Sequence, residues 1–582
     1  MLLMVDRVAR YVLCILLLLC LVIGSGSALP ERIVQEGFLV VGREGDYVVF
    51  NDLLVVNSSV YIGGCTGKFG NNVWTLLKLD EGGSLSSYLS EERGMIVSLA
   101  FDGSRIYAAG FLEHDTPPKT TGFLAAFTLN LEKLWEKEWV GSPVFSEFKG
   151  VYVRGDRVYV VGEAYYSGDR GFDVVVRKYD KEGSLLWENI LVASGHQEAE
   201  SLVVSSGKIY IAGSTSPYIS GGNVDGLVVM VNESSGLVET RVWGGEGDDF
   251  FKSIELDGAM YVCGFTDSYG KGGFDGVLLK LDLRGEVIWW RIFGNAGDDS
   301  FIDLALHEGE IHVVGHTTVN GSMLPVYLQY SFDGTLLGSW TLPAGNQSTW
   351  TSVYPADGSI HLAGNLVKSP FLVNGIYARY ATRYVLIVNF PGDGFWAALD
   401  NENKTGRSVS FETSSVERRL EVTARVNYGG TRLVFDGWSD GARDNPRPVK
   451  VVKDTVLNAT YRVEHYVTVR SERGKPSGEG WYAEGSIATV SVEPSIATES
   501  FFVNYVFEGW YENGRKVSAT PTFSFVVMNP TVLEAGWRME LNLALIVLLL
   551  SVLLLALLLL LLLILERREK GRGRQASRRH GH

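Results

Sequence analysis

The sequence predicts an all-β protein carried by one C-terminal membrane helix. Three observations carry that expectation. A short apolar phrase ending in glycine recurs seven times, glycine (67) far outnumbers proline (16) in a chain that is 12% aromatic, and Leu541 to Leu565 is an apolar run without a charge. With 582 residues the chain has room for three or four domains, and 46% hydrophobic content excludes a mostly disordered protein. A formal net charge of −15 disfavours nucleic-acid binding, which needs basic surface to neutralise phosphates. Four cysteines are too few for a disulfide-stapled scaffold.

Residues 1–28 carry Arg7 and Arg10, an apolar run from Tyr11 to Ile23, and the small residues Gly24-Ser25-Gly26-Ser27-Ala28. This is the pattern of a secretory signal cleaved near Ala28, because the peptidase pocket admits small side chains. A retained signal anchor is the other reading. No lipobox-like small residues precede Cys20, and only Cys65 and Cys263 lie beyond the segment.

The repeated phrase reads Val60-Tyr61-Ile62-Gly63-Gly64, Ile106-Tyr107-Ala108-Ala109-Gly110, Val158-Tyr159-Val160-Val161-Gly162, Ile209-Tyr210-Ile211-Ala212-Gly213, Met260-Tyr261-Val262-Cys263-Gly264, Ile311-His312-Val313-Val314-Gly315 and Ile360-His361-Leu362-Ala363-Gly364. The closing glycines are spaced by about 50 residues. A second glycine stands six or seven residues before each of the last six, as in Asp257-Gly258 and Glu308-Gly309, which suits a tight hairpin turn needing positive φ. Third and fourth strands are explicit in Phe274 to Asp282 and Val287 to Gly294, around a turn at Arg284-Gly285. Four strands per repeat, seven times, is the strand count of a seven-bladed β-propeller, assigned to 31–381. The seventh copy lacks its last strand, and Glu36 to Tyr47 matches the missing piece, so the N-terminal strand is expected to close the ring and leave no free edge.

Gly245-Glu246-Gly247-Asp248-Asp249, Met260 to Thr266, Asp275-Gly276, Lys280-Leu281-Asp282, Gly285 and Trp289 together resemble the extracellular β-propeller repeat of prokaryotic surface proteins. Asp180-x-x-Gly183-x-x-x-Trp187 and Asp282-x-x-Gly285-x-x-x-Trp289 are similar to the tryptophan-docking motif of quinoprotein propellers. Both resemblances imply architecture, since such motifs lock blade to blade, and a propeller fold licenses no activity by itself. The first, second and seventh copies fit them poorly.

Phe435-Asp436-Gly437-Trp438 recurs as Phe507-Glu508-Gly509-Trp510, each after an alternating run. Two tandem β modules are therefore expected, 382–463 and 464–538, resembling internalin-type B-repeats that serve as stalks. Trp438 and Trp510 are expected as core anchors.

The run 541–565 would make a helix of about 37 Å, long enough to cross a hydrocarbon core of about 30 Å. The tail 566–582 holds Arg567, Arg568, Lys570, Arg572, Arg574, Arg578 and Arg579 against two glutamates, which places it in the cytoplasm by the positive-inside rule. The expected topology is single-pass, with 29–540 outside the cell and more acidic than the chain as a whole.

Chemistry-bearing residues are sparse. Six Asn-x-Ser/Thr sequons, at Asn57, Asn232, Asn320, Asn346, Asn403 and Asn458, are glycosylation candidates. His307, His312 and His316 invite a zinc reading, but His312 and His361 stand where the other copies carry Tyr and are expected as core residues. The acidic turns at Asp46, Asp248-Asp249 and Asp298-Asp299, and the recurrent Asp173, Asp225 and Asp275, read as turn carboxylates accepting backbone N–H bonds. Calcium at these turns is the one cofactor left open. Cys65 and Cys263 fall on non-adjacent blades, too far apart for a disulfide Cα separation of about 5.5 Å, and are expected as buried thiols. No nucleophile elbow, zincin helix, Walker loop or dinucleotide fingerprint is present, so no catalytic, cofactor-binding or metal residue is assigned.

The functional expectation is a surface-displayed adhesion, binding or structural protein, with a glycan or surface-protein ligand at the propeller's top face or channel. The alternative is a membrane-tethered ectoenzyme, either a quinoprotein-like dehydrogenase or a carbohydrate-active hydrolase or lyase.

Overall fold

The computed structural model describes residues 33–576 except 44, 117, 142, 167–170, 192–194, 217–221, 343–344, 346, 357 and 415. The expected signal segment 1–28 and the sequon residue Asn346 lie outside the described residues. The described residues are almost wholly β, with one helix, Leu543–Ala576, after the last strand. Contacts divide it into two compact units, one formed by the strands up to Thr382 and the other by those from Val385 on together with the helix.

The first unit is a succession of antiparallel four-stranded meanders. In each, the phrase found in the sequence is the second strand, for example Met260–Thr266, which pairs with Asp249–Leu256 before it and Asp275–Leu281 after it. Val287–Phe293 completes that sheet. The long strand Leu85–Phe101 serves twice, pairing with Asn71–Leu79 through its first half and with Ile106–Glu113 through its second, so two meanders merge into one seven-stranded sheet. The sheet of Ser348–Ala356, Ser359–Ser369 and Leu372–Thr382 takes its fourth strand from the other end of the chain, with Ile33–Val41 antiparallel to Leu372–Thr382 and Phe38 opposite Ala378.

A β-bulge recurs in the first strand of every meander. The extra residue is Asn51, Val97, Lys149, Glu200, Lys252, Ile302 or Thr351. The bulge bends the strand and drives the carbonyl two residues upstream against the closing glycine of the second strand. A Cβ on Gly64, Gly110, Gly162, Gly213, Gly264, Gly315 or Gly364 would lie 1.8–2.2 Å from the carbonyl oxygen of Val49, Met95, Glu147, Glu198, Phe250, Ser300 or Thr349, respectively. The seven glycines of the phrase are therefore explained by backbone approach rather than by φ. The glycine of the preceding turn has the other cause: Gly309 sits at φ 85° in open space. The first copy has no such glycine, and Asn57 and Ser58 take the turn with φ 49° and 61°.

Neighbouring meanders pack face to face through aromatic and branched side chains. Phe148, Phe251 and Phe301, each just before a bulge, lie buried over Gly122, Gly226 and Gly276 of the preceding sheet, where no Cβ intervenes. Each such ring contributes about 2–3 kcal/mol by leaving water. Phe50 lies in the same way over Gly375, and Val48, Leu53, Ile62 and Leu77 share a core with Ala363 and Tyr377. Further out, Trp135 covers Gly183 and Trp289 covers Gly334 in the turns of following sheets. Asp180 and Asp282 brace their turns by accepting the N–H groups of Ser184 and Glu286 at 2.7 and 2.9 Å.

His312 and His361 are buried in second strands, with Nδ1 at 2.8 Å from the hydroxyls of Tyr327 and Tyr377. Burial, with a nearby His307 or Arg379, pulls their pKa values down to about 3 and about 4. Cys65 and Cys263 are buried free thiols.

In the second unit the strand Thr455–Ser471 crosses the boundary expected between residues 463 and 464, pairing with Thr431–Trp438 and with Thr531–Leu541. Trp438 and Trp510 are buried, and their indole N–H groups donate to the carbonyls of Asp444 and Pro521 at 3.0 and 3.1 Å. Asn542 caps the helix, its Oδ1 accepting the N–H of Leu545 at 3.2 Å. Leu543–Lys570 is long and apolar enough to cross a membrane, and none of its most apolar stretch is buried by the rest of the chain.

Two outcomes are expected. Gly264→Ala, which forces a Cβ onto a carbonyl, lowers the melting temperature by more than Gly309→Ala, whose cost is the left-handed backbone alone, about 1–2 kcal/mol. Both histidines stay neutral in the fold but take protons when unfolded below about pH 6.5. Their contribution is complete above that pH and is lost as pH falls, by up to about 1.4 kcal/mol per histidine per pH unit down to about pH 4. Replacing both by Tyr, as in the other copies, flattens that loss in denaturant titrations at pH 7 and 5.

Candidate functional site

The seven bulged strands share more than a pattern: all of them line one cavity of about 890 Å³ in the first unit. A strand that bulges cannot keep its extra residue in the ladder, so that side chain turns out of the sheet. Asn51, Val97, Lys149, Glu200, Lys252, Ile302 and Thr351 all face this space. None was singled out as a candidate from the sequence. Their signal is there, however, because each stands thirteen residues before a closing glycine, or twelve before Gly264.

The residue after the bulge forms a polar belt between neighbouring strands. Asp52 accepts the N–H of Leu99 at 2.7 Å on one side and the hydroxyl of Ser352 at 2.8 Å on the other. Asp303 accepts from Ser253 Oγ at 2.8 Å and from the N–H of Val353 at 3.0 Å. The N–H of Val151 donates to Ser98 Oγ, and that of Leu53 to Ser352 Oγ, each at 3.3 Å. Asn365 strengthens the same seam by bonding both backbone groups of buried Phe50, at 2.8 and 2.9 Å.

Charge in the cavity is one-sided. Lys149 pairs with Glu147 at 2.5 Å and lies 4.0 Å from Glu163, while Lys252 pairs with Glu200 at 2.5 Å. Burial pulls the Lys149 pKa down, but Glu147, Glu163 and Glu200 outweigh it and hold the ammonium charged. Burial pushes Glu163 up to about 8 against the pull of Lys149, with Glu198 and Glu147 adding to the rise. Asp303 is raised to about 7 by burial and by the facing charge of Asp52, and Glu255 to about 7 by burial and Asp303. Chemically, the arc offers two ammonium donors and several carboxylate acceptors around a polar guest. Groups titrating near neutrality are also those suited to acid–base work.

The sequence candidates fall elsewhere. Asn57 and Asn320 are exposed in turns, and Asn403 and Asn458 are exposed on strands. Asn232 is half-buried, with Oδ1 accepting from Ser234 N, Ser234 Oγ and Ser235 N at 2.8–3.1 Å. None of these asparagines lines the cavity. The acidic turns each aim one carboxylate oxygen at the backbone: Asp249 accepts from Gly245 N, Asp275 from Lys271 N, and Asp299 from Asn295 N, at 2.7–2.9 Å, while Oδ1 of Asp249 and of Asp275 is buried without a hydrogen-bond partner among the described residues. A calcium ion there would compete with these N–H donors. Among the described residues no three His, Cys, Asp or Glu side chains are gathered to hold a metal.

No family model matches the sequence, and no curated protein matches it. Similar solved structures include the WD40 β-propeller domain of Doa1 (15% identity, TM-score 0.36, covering 59% of this chain and 96% of that one). A protein of unknown function from Dyadobacter fermentans is 10% identical, with TM-score 0.37, covering 61% of this chain and 100% of that one. Sqt1 of Chaetomium thermophilum is 11% identical, with TM-score 0.35, covering 56% and 95%. At these values the likeness carries no argument about what the chain does.

Asn365→Ala leaves the buried N–H of Phe50 without its partner, while the Phe50 carbonyl keeps the Thr351 hydroxyl at 2.9 Å. It is expected to destabilise the fold by about 1–3 kcal/mol, measured by chemical denaturation, while Asn403→Ala, at an exposed strand position, changes stability little.

Proposed function

We propose that the chain is a membrane-anchored binding protein displayed on the cell surface. Its head is a seven-bladed propeller closed by Ile33–Val41, its stalk the two β modules, and its anchor the C-terminal helix with a cytoplasmic basic tail. Closure is supported by the pairing of Ile33–Val41 with Leu372–Thr382 and by the packing of Phe50 on Gly375. The orientation follows from the basic residues after the helix. The anchor rests on a helix long and apolar enough to span a bilayer.

The single observation that carries binding is the polar cavity lined by all seven bulged strands. Held on rigid sheets, Lys149, Glu200 and Lys252 need little reordering to engage a guest, which lowers the entropic cost of association. A polar ligand, such as a glycan or a hydrophilic loop of a surface protein, fits that lining better than an apolar one. The ectoenzyme reading keeps one observation in its favour, the carboxyl groups of Asp303 and Glu255 poised at about 7. Against it, both Asp303 oxygens are already engaged in the belt.

The test is a glycan and surface-protein array probed with the full-length protein in detergent. The reading expects a hit that weakens at least tenfold in Lys252→Met and Glu200→Gln with melting temperature unchanged, the loss of about 1.4 kcal/mol of binding or more. A hit indifferent to both substitutions would remove the cavity as the binding site. Turnover of a glycan, or a visible absorbance band on adding a quinone cofactor, would favour the enzyme.

A further inference from the structure

Two phenylalanine side chains at one end of the second unit stand exposed. Phe501 is 82% exposed and Phe502 46%, beside Met539 at 56% and Leu541 at 52%. A soluble module gains nothing from holding four large apolar side chains in water. Their place in the chain supplies the reason. Val503 pairs with Leu541 at the end of the last strand, and the N–H of Asn542 donates to the carbonyl of Phe502 at 2.9 Å. Asn542 also accepts the N–H of Ile546 at 3.0 Å, as the first turn of the apolar helix requires. The turn carrying the two rings is thus bonded to the residue that caps the helix, and the helix is exposed apolar surface from Leu543 onward.

We propose that Phe501 and Phe502, with Met539 and Leu541, form a docking surface for the outer face of the bilayer that the helix crosses, so that the second module rests on lipid as well as being tethered to it. The proposal rests on the membrane reading of the helix. The occupant follows from continuity: a helix entering the hydrocarbon at Leu543 carries Asn542 at the interface, and the hydrogen bond fixes Phe502 at the same level. Phe and Leu side chains on an interfacial surface bury into the boundary between headgroups and acyl chains. The charges around the turn suit the same boundary, because Arg538 pairs with Glu540 at 2.6 Å and the Arg473 guanidinium lies over the Tyr505 ring at 3.4 Å, so neither cation is left bare beside the apolar tip.

The test places a nitroxide on Phe501→Cys and on Phe502→Cys in the full-length protein reconstituted in phosphatidylcholine nanodiscs. Background from native cysteines is subtracted with the unsubstituted chain, in which Cys65 and Cys263 are buried. Collision with oxygen, which partitions into lipid, is compared with collision with a nickel chelate, which stays in water. Asn513→Cys, exposed at the far end of Val503–Glu512 and about 33 Å away along the strand, reports the aqueous limit. Leu553→Cys, inside the helix, reports the lipid limit. The expected result is an oxygen-to-nickel ratio at 501 and 502 well above that at 513 and shifted toward that at 553. A ratio at 501 and 502 equal to that at 513, with 553 in lipid, overturns the docking surface and leaves the anchor standing. A label at 553 that meets the nickel chelate freely overturns both.

Discussion

The contact on which the first unit depends is a backbone carbonyl pressed against a glycine Cα. Each bulge forces that approach by putting one residue too many into the first strand, and only a residue without Cβ in the second strand tolerates it. The two features are halves of one device, which is why the glycine recurs in all seven copies while its neighbours vary freely among Val, Ile, Ala, Cys and Gly. The gain is geometrical. The bulge adds twist to the sheet and removes one side chain from the ladder, and both effects act on the same strand at the same height in every copy.

From that device the cavity follows. Seven strands deliver seven displaced side chains, and at four of the bulges the residue that follows accepts an N–H of a neighbouring strand. Asp52 and Asp303 fill those positions with carboxylates, Ser98 and Ser352 with hydroxyls. A belt of this kind makes neighbouring sheets register with one another through directional bonds, whereas the aromatic rings on glycines such as Gly276 and Gly375 add apolar burial. Of the side chains at the bulges, Asn51 and Thr351 add to that belt by donating to the carbonyls of Ile96 and Phe50 at 2.7 and 2.9 Å. Chemical variety is concentrated there, from Ile302 to the Lys149–Glu147 and Lys252–Glu200 pairs, and this is the part of the first unit best suited to discriminate a ligand.

Much of the architecture was legible in the residues. The all-β character, the repeat phase, the turn positions and the apolar helix follow from local patterns: alternating apolar strands, glycine at tight turns and an unbroken run of leucines. His312 and His361 read correctly as replacements for Tyr because their position in the phrase outweighs their residue type. The cavity was not legible, since its lining comes from the strand before the phrase, where residues as unlike as Asn51, Val97 and Glu200 share a position without sharing chemistry. Burial of a carboxyl such as Glu163 next to Lys149 depends on which strands meet across a sheet. The double use of Leu85–Phe101, one strand in two meanders, was equally hidden, although Gly94, at φ 154°, stands where the pairing passes from one partner strand to the other. Nothing in the sequence pattern ties Phe502 to the helix cap, because their bond joins residues 40 positions apart.

The central claim is that the first and last meanders support each other as consecutive ones do, so that the seven bulged strands enclose one site. An open array frays from its ends, because terminal repeats have a neighbour on one side only, whereas a closed one opens as a unit. Amide hydrogen exchange of the full-length protein separates the two. The account predicts that peptides from 33–41, 48–56 and 372–381 exchange as slowly as those from 250–265, and in the same cooperative step. Fast exchange confined to the first three, with 250–265 protected, would contradict it.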